Sequence, residues 1–147
     1  MRCTAAFLLS LFMLFPVPVN AKSEHSTVIP FTEKDGLVYI RVKVNDVLVI
    51  AMVDSGASVT NVDADLVSAK GCAYRNVFTS SGDKVIGCER KAEVKIDEML
   101  LASKVTAYHF PASLGSVKAI LSARDLAQGG RITFDYENQV LVVSPKN

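Results

Sequence analysis

The stretch AMVDSGASVT, Ala51 to Thr60, places an acid, a hydroxyl and a glycine in a row directly behind an apolar run. Asp, Ser and Gly are all turn formers, so the three residues alone read first as an ordinary turn. The context is more demanding. VLVIAMV, Val47–Val53, is apolar throughout and reads as a central strand covered on both faces, delivering Asp54 to the edge of a core. A lone carboxylate is costly there unless it accepts hydrogen bonds, shares a proton or meets a partner. Gly56 removes a side chain where backbone N–H groups could approach that carboxylate, and the Ser55 hydroxyl can tie down a neighbouring main chain.

Working outward, LVYIRVKV alternates as a half-buried strand, with EKDG as the turn before it and Asn45-Asp46 as a tight hairpin turn after it. STVIPF reads as the first strand. TNVDADLVSAKG predicts a short helix, with Thr60 or Asn61 as its cap, Asp63 and Asp65 at its positive end and Gly71 at its stop. AYRNVFT and KVIGCERKAEVKI are strands around the hairpin tip SSGD, and MLLASKVTAYHF is a strand after an Asp97-Glu98 turn. PASLGS is loop and VKAIL a short strand. SARDLAQGG is a second short helix closed by Gly129 and Gly130, and RITFD and QVLVV form a last hairpin. The sum is an all-β chain with two short helices, spaced as in a small closed barrel-like structure.

Length and composition suit one small globular domain: 147 residues, half hydrophobic and 21% charged. A formal net charge of +1 offers no basic field, and without Trp or clustered rings there is no stacking platform, so nucleic acid is not an expected partner. Nucleotide and phosphate fingerprints are absent. The opening MRCTAAFLLSLFMLFPVPVNAK has Arg2, an apolar core from Ala5 to Phe15, breaks at Pro16 and Pro18, and small residues at Val19-Asn20-Ala21. That is a signal-peptide pattern. Residues 1–21 are read as the signal, 22–27 as a tether and 28–147 as the domain, giving an exported protein, periplasmic or secreted. The alternative is an uncleaved anchor from Cys3 to Val19, the one route to a membrane. Cys72 and Cys88 would remain after cleavage, and in an oxidising compartment they are expected to form a disulfide worth about 3 kcal/mol; two separate thiols is the other reading. With no histidines nearby they do not make a zinc site.

VIAMVDSGASVT resembles the active-site loop of retropepsin-like aspartic proteases: a hydrophobic strand, Asp-Thr/Ser-Gly-Ala, then a polar or hydroxyl residue. TSSGDKVIG stands where that family carries its flap, AILSARDLAQGG resembles its closing strand and Arg-Asp/Asn-Leu helix, and ITFDYENQVLVV its last hairpin. The resemblance implies a retropepsin-type acid protease fold and a half-enzyme. One Asp-Ser-Gly occurs in the chain, so a homodimer would supply two copies of Asp54 to a peptide or protein substrate, with no metal and no cofactor. It implies that Ser55 locks the two loops together, that Gly56 lets the substrate backbone approach, and that Ala57 and Ser58 line the wall. Ser80, Ser81, Gly82, Asp83, Lys84 and Val85 would form the flap. Simpler readings stand beside these: a turn glycine at Gly56, an ordinary hairpin glycine at Gly82, a surface hydroxyl at Ser58, and core packing for Val85, Ile86 and Ile120, which could also line pockets.

Two departures from the family pattern bear on the site. Ser122 follows Ile120-Leu121 where relatives carry glycine, so its hydroxymethyl is accommodated or the register slips by one. Ser58 stands where retroviral members carry an acid for the helix arginine, so Arg124 is expected to meet another acid or solvent. Three other functions compete with the endopeptidase: a non-catalytic peptide-binding relative, an unrelated secreted barrel for a small apolar ligand, and a serine hydrolase. The last would need a histidine from His25 or His109 and a nucleophile elbow, and no such elbow is present.

Overall fold

A computed structural model describes residues 26–68, 70–79, 82–128 and 130–145. The leader read at 1–21, the tether as far as His25, and Ser80, Ser81 and Gly129 lie outside these residues. The first strand, β1 (Thr27–Pro30), begins one residue inside the segment read as tether. β2 (Thr32–Lys34) and β3 (Leu37–Val44) are joined by Asp35 and Gly36, with φ of 54° and 75°. β3 buries every second residue, Val38, Ile40, Val42 and Val44, as its alternation requires. Asn45 and Asp46 have φ of 46° and 68°, and two left-handed residues make the tight turn whose twist matches its strands. β4 (Val47–Asp54) then returns along β3, from Val44 opposite Val47 to Val38 opposite Val53.

β5 (Asn61–Asp63), β6 (Ala73–Phe78), β7 (Lys84–Ile96), β8 (Met99–Tyr108) and β9 (Val117–Ser122) complete an eight-stranded sheet in the order β2-β3-β4-β9-β5-β8-β7-β6. An additional pairing of β3 with β7, Val44 opposite Val94, bends this sheet into a partial ring. The helix α1 (Ala123–Ala127) follows β9. β10 (Arg131–Asp135) and β11 (Val140–Ser144) then form a second sheet with β1, in the order β1-β11-β10. Phe31 links the two sheets: its N–H donates to the Gln139 carbonyl at 2.9 Å and its ring meets those of Phe134 and Tyr136 edge-on. The core is aliphatic, and Val42, Val44, Ala51, Val62, Val94, Leu121, Leu126 and Leu141 are fully enclosed. α1 ends on Gln128 in the left-handed region rather than on a glycine. Gly130 serves a different purpose, because a Cβ there would lie 1.9 Å from the Ser144 carbonyl oxygen, so only glycine admits the close pass of the α1 exit over β11.

Two elements differ from the sequence reading. The described residues of the segment read as a helix, Thr60 to Gly71, form no α-helix: Asn61–Asp63 is strand, and Ala64–Leu66 is a 3-10 helix capped by Asp63. β5 runs parallel to β8 and antiparallel to β9, and pairing on both edges overrides a weak helical preference. The second short helix stands as α1, and the loop PASLGS contains a 3-10 turn at Ala112–Leu114. β4 is central in strand order but is not covered on both faces: Val47, Leu48 and Ile50 remain 50%, 60% and 38% exposed. No described helix is long and apolar enough to cross a membrane.

Candidate active site

β4 and β9 run parallel, and their register sets Asp54 directly beside Ser122. This pairing carries the site, because it brings the end of one apolar strand against the start of α1. Asp54 is half-buried, and its Oδ1 accepts the Gly56 N–H at 2.8 Å. The Asp54 carbonyl accepts the Ala57 N–H at 3.3 Å, so the chain folds back at once. A Cβ on Gly56 would stand 3.2 Å from that same Oδ1, a contact the carboxylate could relieve only by moving. Ser55, Gly56 and Ser58 are exposed and Ala57 is half-buried, so the loop crest faces outward.

The loop descends at Thr60, which is fully buried. Thr60 donates both its N–H, at 3.1 Å, and its hydroxyl, at 2.7 Å, to one oxygen of Asp125, Oδ2. Its hydroxyl oxygen accepts the Ser122 N–H at 3.3 Å, and its carbonyl accepts the Thr106 N–H at 3.0 Å. Ser122, also fully buried, turns its Oγ to the Arg124 N–H at 3.2 Å and so caps α1. The hydroxymethyl is therefore accommodated: the register runs unbroken from Ala51 opposite Ala119 to Asp54 opposite Ser122, and the shift in this strand pair lies at its far end, between Ile50 and Ala51. Arg124 is exposed, and its side chain forms no ion pair among the described residues; its neighbour Asp125 holds the loop instead.

Tyr108, at the end of β8, is buried and went unmarked in the sequence. Burial pushes its phenol above the usual range, and the negative charge of Asp54 pushes it further. Asp63 lies beside Tyr108 in the β5–β8 register. Burial alone would raise the Asp63 carboxyl, but the Lys118 ammonium at 2.7 Å, the Asp65 N–H, and the charges of Lys118 and His109 together hold it below the usual carboxylate range. Asp63, Asp65 and His109 bring one potential ligand atom each within 4.8 Å of one another. Both Asp63 oxygens already accept hydrogen bonds, Oδ2 from the Lys118 ammonium and Oδ1 from the Asp65 N–H.

Of the residues read as a flap, Gly82, Asp83, Lys84 and Val85 lie at the tip and start of the β6–β7 hairpin, and Ser80 and Ser81 fall outside the described residues. Gly82 has φ of 85°, and its N–H donates to the Thr79 carbonyl at 2.9 Å; the Thr79 N–H donates to the Asp83 carbonyl at the same distance. Cys72 and Cys88 are joined at the foot of this hairpin, with Cα atoms 5.5 Å apart. The register sets Tyr74, Phe78 and Ile86 on one face, 75%, 71% and 69% exposed. Val85 is half-buried and Ile120 is buried. A groove of about 900 Å³ lies at the other end of the β4–β9 pair, lined by Val28, Phe31, Ile50, Leu114 and Val117 among others, and none of its lining residues belongs to the Asp54 loop.

No family model matches the sequence, and no curated protein matches it. Among solved structures, a retropepsin-like aspartic protease from Rickettsia conorii superposes with a TM-score of 0.53 at 20% identity, covering 81% of this chain and 88% of that one. Identity at that level speaks to architecture. The strand order, the parallel β4–β9 pair and this superposition together establish that the chain has the retropepsin-like fold.

Proposed function

We propose that the protein is an aspartic endopeptidase whose catalytic dyad forms when two chains bring their Asp54 side chains together. The observation that carries this reading is the placement of Asp54: a half-buried carboxylate at the end of a core strand, oriented by the Gly56 N–H, on a loop whose crest is exposed. Such a crest is available to a second copy. Two carboxylates about 3 Å apart cannot both ionise, so the pair holds one proton between them. The ionised member takes a proton from water as the water oxygen attacks the scissile carbonyl carbon. The protonated member donates to the carbonyl oxygen. Collapse of the tetrahedral intermediate breaks the C–N bond and delivers a proton to the leaving nitrogen, consuming one water overall. Activity belongs to the singly protonated pair and peaks on the acid side of neutrality.

Ser55 would hold the two loops across the symmetric seam, and the β6–β7 hairpin would close over the peptide. Ser122, the departure that would favour a non-catalytic peptide-binding relative, caps α1 without disturbing the strand pair, so it gives that alternative no support. Export to the periplasm or beyond is part of the same proposal and rests on the leader pattern. The test is cleavage of an unfolded protein and a peptide library across pH, with Asp54→Asn alongside. Cleavage by the parent chain that falls about 10³-fold in the variant supports the reading. Equal cleavage by both removes it.

A further inference from the structure

The Asp54 loop is closed at its foot by a group that neither the resemblance nor the proposed chemistry assigns. Asp54 and Ser122 are register partners, so the entry to the loop and the β9–α1 junction lie side by side. The exit from the loop, Thr60, is bound to that same junction. The Ser122 N–H reaches the Thr60 hydroxyl oxygen, the hydroxyl donates onward to Asp125 Oδ2, and the Thr60 N–H donates to the same oxygen. Five residues, Ser55 to Val59, thus span a gap whose two ends are set by one strand pair and one carboxylate. Thr60 and Ser122 are fully enclosed, so water is not at hand to replace a missing acceptor.

We infer that Asp125 is a positioning residue for the Asp54 carboxylate, acting by accepting both donors of Thr60 and so fixing the span of the loop. Its catalytic consequence rests on the dyad proposed above; its structural consequence does not. The role depends on one oxygen accepting two hydrogen bonds, and the carboxamide of asparagine has such an oxygen. Asp125→Asn is therefore the rescue variant, and Asp125→Ala removes the acceptor. A loop displaced by about 1 Å can lose about 10²-fold in turnover.

The experiment combines kcat and KM for the two variants with amide hydrogen exchange on the full chain. The expected result is a kcat about 10²-fold lower in Asp125→Ala with KM little changed, and most of the activity retained in Asp125→Asn. In Asp125→Ala the Gly56 and Thr60 amides exchange about tenfold faster while those of Val94 and Leu121 are unaltered. Unchanged exchange at Gly56 and Thr60 overturns the inference. Acceleration of all amides together overturns it as well, since Asp125 would then support global stability alone. An Asp125→Asn variant as impaired as Asp125→Ala shows that charge rather than acceptance matters, and also overturns it. If no variant and no parent protein cleaves peptide, yet Gly56 and Thr60 alone accelerate in Asp125→Ala, the positioning role stands and the dyad reading falls.

Discussion

The Asp54 loop and the β6–β7 hairpin are held by opposite means. The loop leaves a core strand, returns to the junction of β9 and α1, and is fixed at its exit by hydrogen bonds that Thr60 donates to Asp125 and accepts from Ser122 and Thr106. The hairpin extends from the end of the sheet. Among the described residues β6 pairs only with β7, and the apolar side chains of Tyr74, Phe78 and Ile86 are exposed. One disulfide, Cys72–Cys88, ties its foot. On the proposed reading, Asp54 must meet a reacting atom and needs a fixed position, whereas the hairpin would cover a substrate and must be able to open. The first is achieved by bonds from several elements to one short segment, the second by attachment along one edge.

The contrast is most sharply tested by truncating one apolar side chain in each region. Leu121, fully enclosed in β9 beneath the loop, should lose about 2–5 kcal/mol on Leu121→Ala in urea unfolding. Ile86→Ala on the hairpin should change stability by no more than about 0.5 kcal/mol. Comparable losses at the two sites would mean that the hairpin face is covered in solution. Next in size is the disulfide. Replacing both cysteines with serine should remove up to about 3 kcal/mol. The loss should be local, with β6 amides exchanging faster and the Gly56 amide unchanged. Acceleration at Gly56 would show that the two regions are coupled.

The smallest effect concerns pH. The folded Asp63 carboxyl lies below its ordinary value of 3.8, so Asp63 contributes stability above that value and loses it as pH falls through the depressed one. The parent chain should therefore hold a stability increment over Lys118→Met at mildly acidic pH, where the proposed dyad works. Below the depressed value the two should converge. A difference independent of pH would place the effect of Lys118 in packing rather than charge.

Much of the frame was legible in the sequence because short-range chemistry decides it. Asn45-Asp46 and Asp35-Gly36 are turn residues and sit at positive φ, and β7 spans Lys84–Ile96, the run read as one strand after the SSGD tip. Asp54 and Gly56 stood out because an apolar strand ran into an acid and a glycine. What was hidden depends on contacts across the sheet. Thr60–Asp63 carries helix-start residues, yet β8 and β9 take both of its edges. The bond from Thr60 to Asp125 spans 65 positions, and no local pattern marks it. Tyr108 is set opposite Asp63 by the parallel β5–β8 pair, 45 positions along the chain. The apolar run of β4 suggested two covered faces, but central strand order and coverage of both faces are separate properties, and sequence pattern does not distinguish them.

The most direct test of the paired-aspartate proposal is the stoichiometry of a tight-binding transition-state peptide mimic, measured by titration calorimetry together with mass in solution. A dyad shared between chains predicts one mimic per two chains, a complex with the mass of a dimer, and loss of binding in Asp54→Asn. One mimic per single chain, bound equally well by Asp54→Asn, would contradict it.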